Sequence, residues 1–128
     1  MLASSSFLRF GLVGAIGFAV DAGAMQALVT LAHWGPVEAR LVSIPLAVFA
    51  TWLLNRSFTF DDYDGPAWRS LVRYAAVSAA GAGINFLVYT LLVMGSSVLA
   101  AHPLIPLAVA SIVALVVNYL GSKHFAFR

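Results

Sequence analysis

Four long apolar runs alternate with short polar segments along the chain. The runs cover about residues 10–32, 37–54, 72–94 and 103–120, and turn-forming pairs such as Gly35-Pro36 and Gly65-Pro66 lie outside or at the edges of them. A helix that crosses a membrane needs about 20 mostly apolar residues. The pattern therefore predicts an all-α integral membrane protein with four transmembrane helices, and we expect a single transmembrane domain over residues 1–128.

Composition supports this interpretation and excludes several classes of protein. Of the 128 residues, 62% are hydrophobic and 9% are charged, against about 45–50% and 25% in soluble domains. The chain has no cysteine, which excludes disulfides and thiolate chemistry. It has neither a phosphate-binding loop nor a serine-hydrolase elbow, and its histidines lack metal-ligand spacing. We therefore expect no enzyme activity, no cofactor and no metal site.

The basic residues predict the orientation. Arg40 alone lies on the side of the loop between the first two apolar runs. The other six basic residues flank the N-terminus, the central loop and the C-terminus: Arg9, Arg56, Arg69, Arg73, Lys123 and Arg128. By the positive-inside rule, both termini and the central loop face the cytoplasm, so we expect a multi-pass protein of the cytoplasmic (inner) membrane. The net charge of +2 suits contact with anionic membrane lipid. No basic aromatic platform suggests binding to nucleic acid.

The two halves of the chain resemble each other at fixed spacing. Arg9 and Asp21 are followed 64 residues later by Arg73 and Asn85, and residues 51–60 match residues 118–127 at an offset of 67. Chance similarity between apolar helices is the alternative, but the matched polar positions favour duplication. Because each half has an even number of spans, we predict two parallel hairpin repeats. Small residues are expected to pack spans one and three, or one protomer on another: Gly11, Gly14 and Gly17.

Three motifs resemble the GtrA-like family of small four-span membrane proteins. They are Gly14-x-x-Gly17-Phe18-x-x-Asp21, Asn55-Arg56-x-Phe58-Thr59-Phe60, and Arg73-Tyr74 with Asn85. The resemblance covers nearly the whole chain but weakens at Ser122-Lys123, where members commonly have an Asn-Arg pair. It implies translocation (flipping) of a polyprenyl-phosphate-linked sugar for cell-envelope polysaccharide synthesis or glycosylation, often beside a glycosyltransferase.

Asp21 is the most informative candidate. It lies roughly 16 Å along the first span from Phe10, near the middle of a hydrocarbon core about 30 Å thick. A carboxylate there costs about 2.5–3.5 kcal/mol, so it should face the protein interior or a water-filled cavity. It would accept hydrogen bonds from sugar hydroxyls or bind a proton. The structural alternative is a polar contact with a residue of a nearby span: Asn85, Gln26 or Asn118.

The other candidates concern the phosphate. Arg56 and Lys123 occupy matching positions at the ends of spans two and four and would together bind one lipid phosphate. Asn55 precedes Arg56 as a further substrate-binding candidate, and Arg9 and Arg73 would form a supporting basic rim. Asn85 and Asn118 are substrate-binding candidates of another kind, because with Asp21 they would line a path for the sugar. All four cations could instead only fix topology.

Two other functions remain open. The protein could be a non-catalytic membrane subunit that anchors or recruits a glycosyltransferase, or a small exporter of drugs or cations, although the basic rim suits an anion better. Four helices enclose little space for a sugar, so we also expect a homo-oligomer, most simply a dimer.

Overall fold

The computed structural model describes residues 2–128, with side chains described from Ser5 onward, and it is built of helices joined by short loops. Four helices are long and apolar enough to cross a membrane, at 26, 24, 29 and 23 residues, where the second and fourth counts include the π-helical residues that continue these helices to Thr59 and Ala126. About 20 residues are required. The predicted all-helical chain with four long apolar helices is confirmed. The helices are α1 (Leu2–Thr30), α2 (Pro36–Leu54), α3 (Ala67–Gly95), α4 (Ser97–Ala101) and α5 (Leu104–Gly121).

The chain divides into two compact units, Met1–Asp64 and Gly65–Arg128. In the first unit α1 packs along α2, and in the second α3 packs along α5. We call these units the first and the second hairpin. The end of a hairpin at which its two long helices are connected is its loop end, and the opposite end is its open end.

Each hairpin finishes at its open end in a π-helical turn, Asn55–Thr59 after α2 and Ser122–Ala126 after α5. The spans predicted over residues 37–54 and 103–120 stop before these turns, because Asn55 and the residues after it look like a polar boundary. In the structure their side chains bond back into the helix: the Ser57 hydroxyl donates to the Leu53 carbonyl at 2.8 Å. The short α4 was not predicted from the sequence. Ser96 caps its N-terminus, with a side-chain oxygen that accepts a hydrogen bond from the Leu99 amide.

Close backbone approach in the first hairpin occurs at Gly17. A Cβ atom there would overlap the methyl group of Thr51 on α2, whereas a Cβ at Gly14 or Gly11 would meet nothing within 4 Å. Small residues let membrane helices approach closely, and at Gly17 the helix that approaches is α2. The prediction that this glycine packs against span three or another protomer was wrong, because it assumed contacts between repeats where the hairpin partner already fills the space.

The second hairpin packs in the same manner. A Cβ at Gly81 would overlap the carboxamide of Asn118 on α5, and a Cβ at Gly121 would lie 2.8 Å from a methyl carbon of Val77. Buried aromatic rings close both open ends, with the centroids of Phe10 and Phe60 6.3 Å apart and those of Tyr74 and Phe127 5.8 Å apart.

Candidate functional site

The polar centre of the first hairpin is an ion pair. Arg40 Nη1 donates to both carboxylate oxygens of Asp21 at 2.6 Å, and this is the single ion pair within residues 5–128. The Asp21 side chain is 21% exposed and that of Arg40 44%. From the sequence, Arg40 served only as a marker of topology, so its pairing with Asp21 was missed.

The pair lies inside the apolar length of the hairpin. Asp21 precedes the end of α1 at Thr30 by nine residues and Arg40 follows the start of α2 at Pro36 by four, which places their backbones about 14 Å and about 6 Å from the loop-end termini. The long Arg40 side chain covers the difference. A charge inside a span is costly and needs a partner, and here each charge compensates the other.

The π turn of the first hairpin carries the Asn55-Arg56 pair. Asn55 is 1% exposed, and its Oδ1 accepts a hydrogen bond from the Thr59 hydroxyl at 2.7 Å. That bond ties the first residue of the turn to the last, so the Asn55 carboxamide supports the turn. Arg56 follows at once, half-buried, with its guanidinium 5.7 Å from the centre of the Trp52 ring.

The second hairpin repeats this arrangement with different residues. Lys123 is exposed, and its ammonium lies 5.9 Å from the centre of the Tyr119 ring. Ser122 replaces Asn55 and Ala126 replaces Thr59, so the hydrogen bond across the turn is lost. The Ser122 hydroxyl is buried without a hydrogen-bond partner.

Arg9 and Arg73 hold the π turns in place. Arg9 Nη1 donates to the Phe58 carbonyl at 3.1 Å and its guanidinium lies 5.0 Å from that ring. Arg73 makes the equivalent contacts with Phe125, at 3.2 Å and 4.8 Å. Both arginines therefore connect the first long helix of a hairpin to the turn that follows the second.

The two asparagines of the second hairpin, Asn118 and Asn85, lie at different distances from its open end. Asn118 packs against Gly81, and its Oδ1 is buried without a hydrogen-bond partner. Asn85 is half-buried and lines a groove nearer the loop end, together with Tyr89 and Leu107. Within the part of the chain that the structure describes, no group of three His, Asp or Glu side chains could hold a metal ion.

The sequence matches the family described as GtrA/DPMS, transmembrane domain, over residues 9–127. The chain belongs to this family. The GtrA/DPMS family is linked to polysaccharide synthesis and glycosylation, and its members are generally non-catalytic membrane proteins. A search of curated proteins found no match.

The structure assigns different surroundings to the predicted GtrA/DPMS site residues. Arg56 and Lys123 lie on the π turns, Asp21 is paired with Arg40, and Asn55 is engaged within its turn. Asn85 lines a groove, while Asn118 contacts a glycine of its own hairpin. Arg40 could have been found from the sequence, because an acid and a base in consecutive spans each require a partner. No sequence signal marked Tyr89.

Proposed function

We propose that the protein translocates polyprenyl-phosphate-linked sugars across the cytoplasmic membrane, for cell-envelope polysaccharide synthesis or glycosylation. The observation that carries the proposal is the matched placement of Arg56 and Lys123. Each lies on the π turn of its hairpin, over an aromatic ring, and no carboxylate within residues 5–128 pairs with either. Cations at the end of a spanning helix lie at the level of lipid phosphates.

Arg56 and Lys123 suit a phosphate in different ways. A guanidinium presents two parallel N–H donors to a phosphate, whereas an ammonium acts as a flexible point charge. Arg9 and Arg73 already donate to carbonyls of the π turns, so they position the turn. The expectation that Arg56 and Lys123 share one phosphate stays a prediction.

Equivalent contacts support two hairpin repeats. The bonds from Arg9 to Phe58 and from Arg73 to Phe125 are related by the same offsets, 64 and 67, that relate the sequences. In this proposal both open ends face the cytoplasm. The Asp21–Arg40 pair strengthens the charge argument, because the one basic residue on the opposite side is compensated within its own hairpin.

The ion pair also supplies polar groups inside the span. Its carboxylate can accept, and its guanidinium can donate, hydrogen bonds to sugar hydroxyls while the isoprenoid chain stays in lipid. Outward movement of the phosphate charge across a cytoplasm-negative membrane gains about 2.3 kcal/mol per 100 mV. The membrane potential therefore favours export without a nucleotide. A second copy of the chain, and a glycosyltransferase that supplies the substrate, are the partners in this proposal.

The test uses purified protein in vesicles that contain radiolabelled undecaprenyl phosphate linked to glucose, mannose or galactose, one lipid at a time. Periodate, which does not cross the membrane, oxidises the sugars in the outer leaflet only. The proposal predicts that the protein brings inner-leaflet sugar within reach of periodate, as protein-free vesicles do not. Unchanged protection of all three lipids would contradict it and favour a subunit that only anchors or recruits a glycosyltransferase.

A further inference from the structure

The second hairpin has a groove of about 400 Å³ toward its loop end, between α3 and the start of α5. The volume is within the range of small-molecule sites, about 300–1,000 Å³. Its lining is uncharged and mostly apolar: Ala82, Asn85, Phe86, Tyr89, Pro103, Leu104 and Leu107.

The groove occupies the positions at which the first hairpin has its ion pair. Asn85 follows Asp21 by 64 residues, the offset between Arg9 and Arg73, and Leu107 follows Arg40 by 67, the offset between the two π turns. The carboxylate is thus replaced by a neutral carboxamide and the arginine by a leucine, which cannot bond to it. The second hairpin keeps a polar group at this level and loses the side chain that would satisfy it.

Two polar groups of the groove need a partner. Asn85 and Tyr89 are four residues apart on α3, so they share one face of the helix, and both are half-buried. Neither side chain makes a hydrogen bond to any residue from Ser5 to Arg128. An unpaired polar group in an apolar surrounding costs free energy, so the groove suits a ligand that both donates and accepts hydrogen bonds.

We propose that this groove binds the sugar ring of the lipid-linked substrate during its passage, an inference that rests on the proposed function. A sugar ring offers hydroxyls to Asn85 and Tyr89 and its C–H faces to the rings of Phe86 and Tyr89. An isoprenoid chain would leave both polar groups unpaired. A phosphate would find no cation, because every lining residue is neutral.

The distance between the groove and Lys123 indicates that the groove binds the sugar during translocation and not while the phosphate is bound at the π turn. Leu107 precedes Lys123 by sixteen residues along α5 and its π turn, which is roughly 24 Å along the axis. One sugar attached directly to the phosphate cannot reach the groove while that phosphate rests on Lys123. The groove therefore receives the sugar after the phosphate has left the open end.

The test compares Asn85→Leu and Tyr89→Phe with the parent in the periodate assay, for the lipids linked to glucose, mannose and galactose, which differ in the orientation of single hydroxyls. Loss of one hydrogen bond to the sugar should slow translocation about 3- to 10-fold and change the ratio of rates among the three sugars. Binding of undecaprenyl phosphate without sugar should match the parent. Tyr89→Phe keeps the ring and removes only the hydroxyl, so it serves if Asn85→Leu fails to fold.

Parent-like rates and parent-like ratios in both variants would overturn the inference, as would an equal slowing for all three sugars, which indicates a structural role. Faster movement in Asn85→Leu would also overturn it and identify the isoprenoid chain as the occupant. If the parent itself moves none of the lipids, the proposed function fails and the inference with it. That result differs from the failure of the groove alone.

Discussion

Arg40 and Asp21 form an ion pair inside the first hairpin, with Arg40 Nη1 2.6 Å from both carboxylate oxygens. Asn85 and Leu107, at the equivalent positions of the second hairpin, cannot form one. The hairpins therefore match at their open ends, where each has a cation on a π turn, and differ farther along the spans. At that level the first hairpin has a charged pair, and the second has an uncharged groove.

Breaking the ion pair should destabilise the protein more than removing both partners. Arg40→Ala leaves an uncompensated carboxylate in the span, and Asp21→Ala leaves an uncompensated guanidinium. Because the pair is partly exposed, we expect a coupling energy of about 1–3 kcal/mol, below the 3–5 kcal/mol typical of a fully buried pair. A double-mutant cycle of unfolding in detergent measures it. A double variant whose loss equals the sum of the single losses would contradict the pairing.

The close approach of α1 to α2 at Gly17 predicts that alanine destabilises the protein there but not at Gly14 of the same helix. Gly17→Ala places a methyl group where Thr51 already lies, so we expect a loss of about 1–3 kcal/mol. Gly14→Ala is the matched control, because its added methyl group meets nothing within 4 Å. Thermal unfolding of the two variants in the same detergent checks this. Equal melting temperatures would show that α1 and α2 are not in contact at Gly17.

The hydrogen bond between Thr59 and Asn55 should stabilise the first π turn. Thr59→Val keeps the shape of the side chain and leaves the buried Asn55 oxygen without this donor, which costs about 1–3 kcal/mol. Ser57→Ala removes an exposed hydroxyl of the same turn and should cost less. Denaturant unfolding in micelles ranks the two variants. The reverse order would indicate that the Thr59 bond contributes little to the turn.

The charge pattern predicts which side each hairpin end faces. Single cysteines introduced as Gly65→Cys, in the central loop, and Gly95→Cys, at the loop end of α3, report access to an impermeant thiol reagent in intact cells. We expect labelling of the second variant only, because the basic residues of the open ends are retained in the cytoplasm. Labelling of the first variant alone would invert the proposed topology.

The four long helices could be predicted because the length of a hydrophobic run depends on local sequence. The need for a partner to Asp21 can be read from the sequence, but the contact geometry with Arg40 cannot, since it depends on the register of α1 against α2 across a loop. The π turns escaped prediction for a related reason. Their polar residues look like a helix boundary until the Thr59 bond to Asn55 is seen. The groove beside Asn85 depends on Leu107, which stands where the first hairpin has Arg40. This difference is recognised only when the structures of the two hairpins are compared.

The contribution of Arg56 tests the central claim most directly, through the rate at which vesicle-reconstituted variants move a lipid-linked sugar that the parent moves. Arg56→Ala should slow translocation about 10- to 150-fold, equivalent to the 1.5–3 kcal/mol of a charge-assisted hydrogen bond. Arg56→Lys should lie between this variant and the parent, because it keeps the charge and loses the two-donor geometry. Arg128→Ala, which removes an exposed cation at the open end of the second hairpin, should match the parent. If Arg56→Ala folds normally and moves the lipid as fast as the parent, Arg56 only fixes topology and the proposed phosphate site is contradicted.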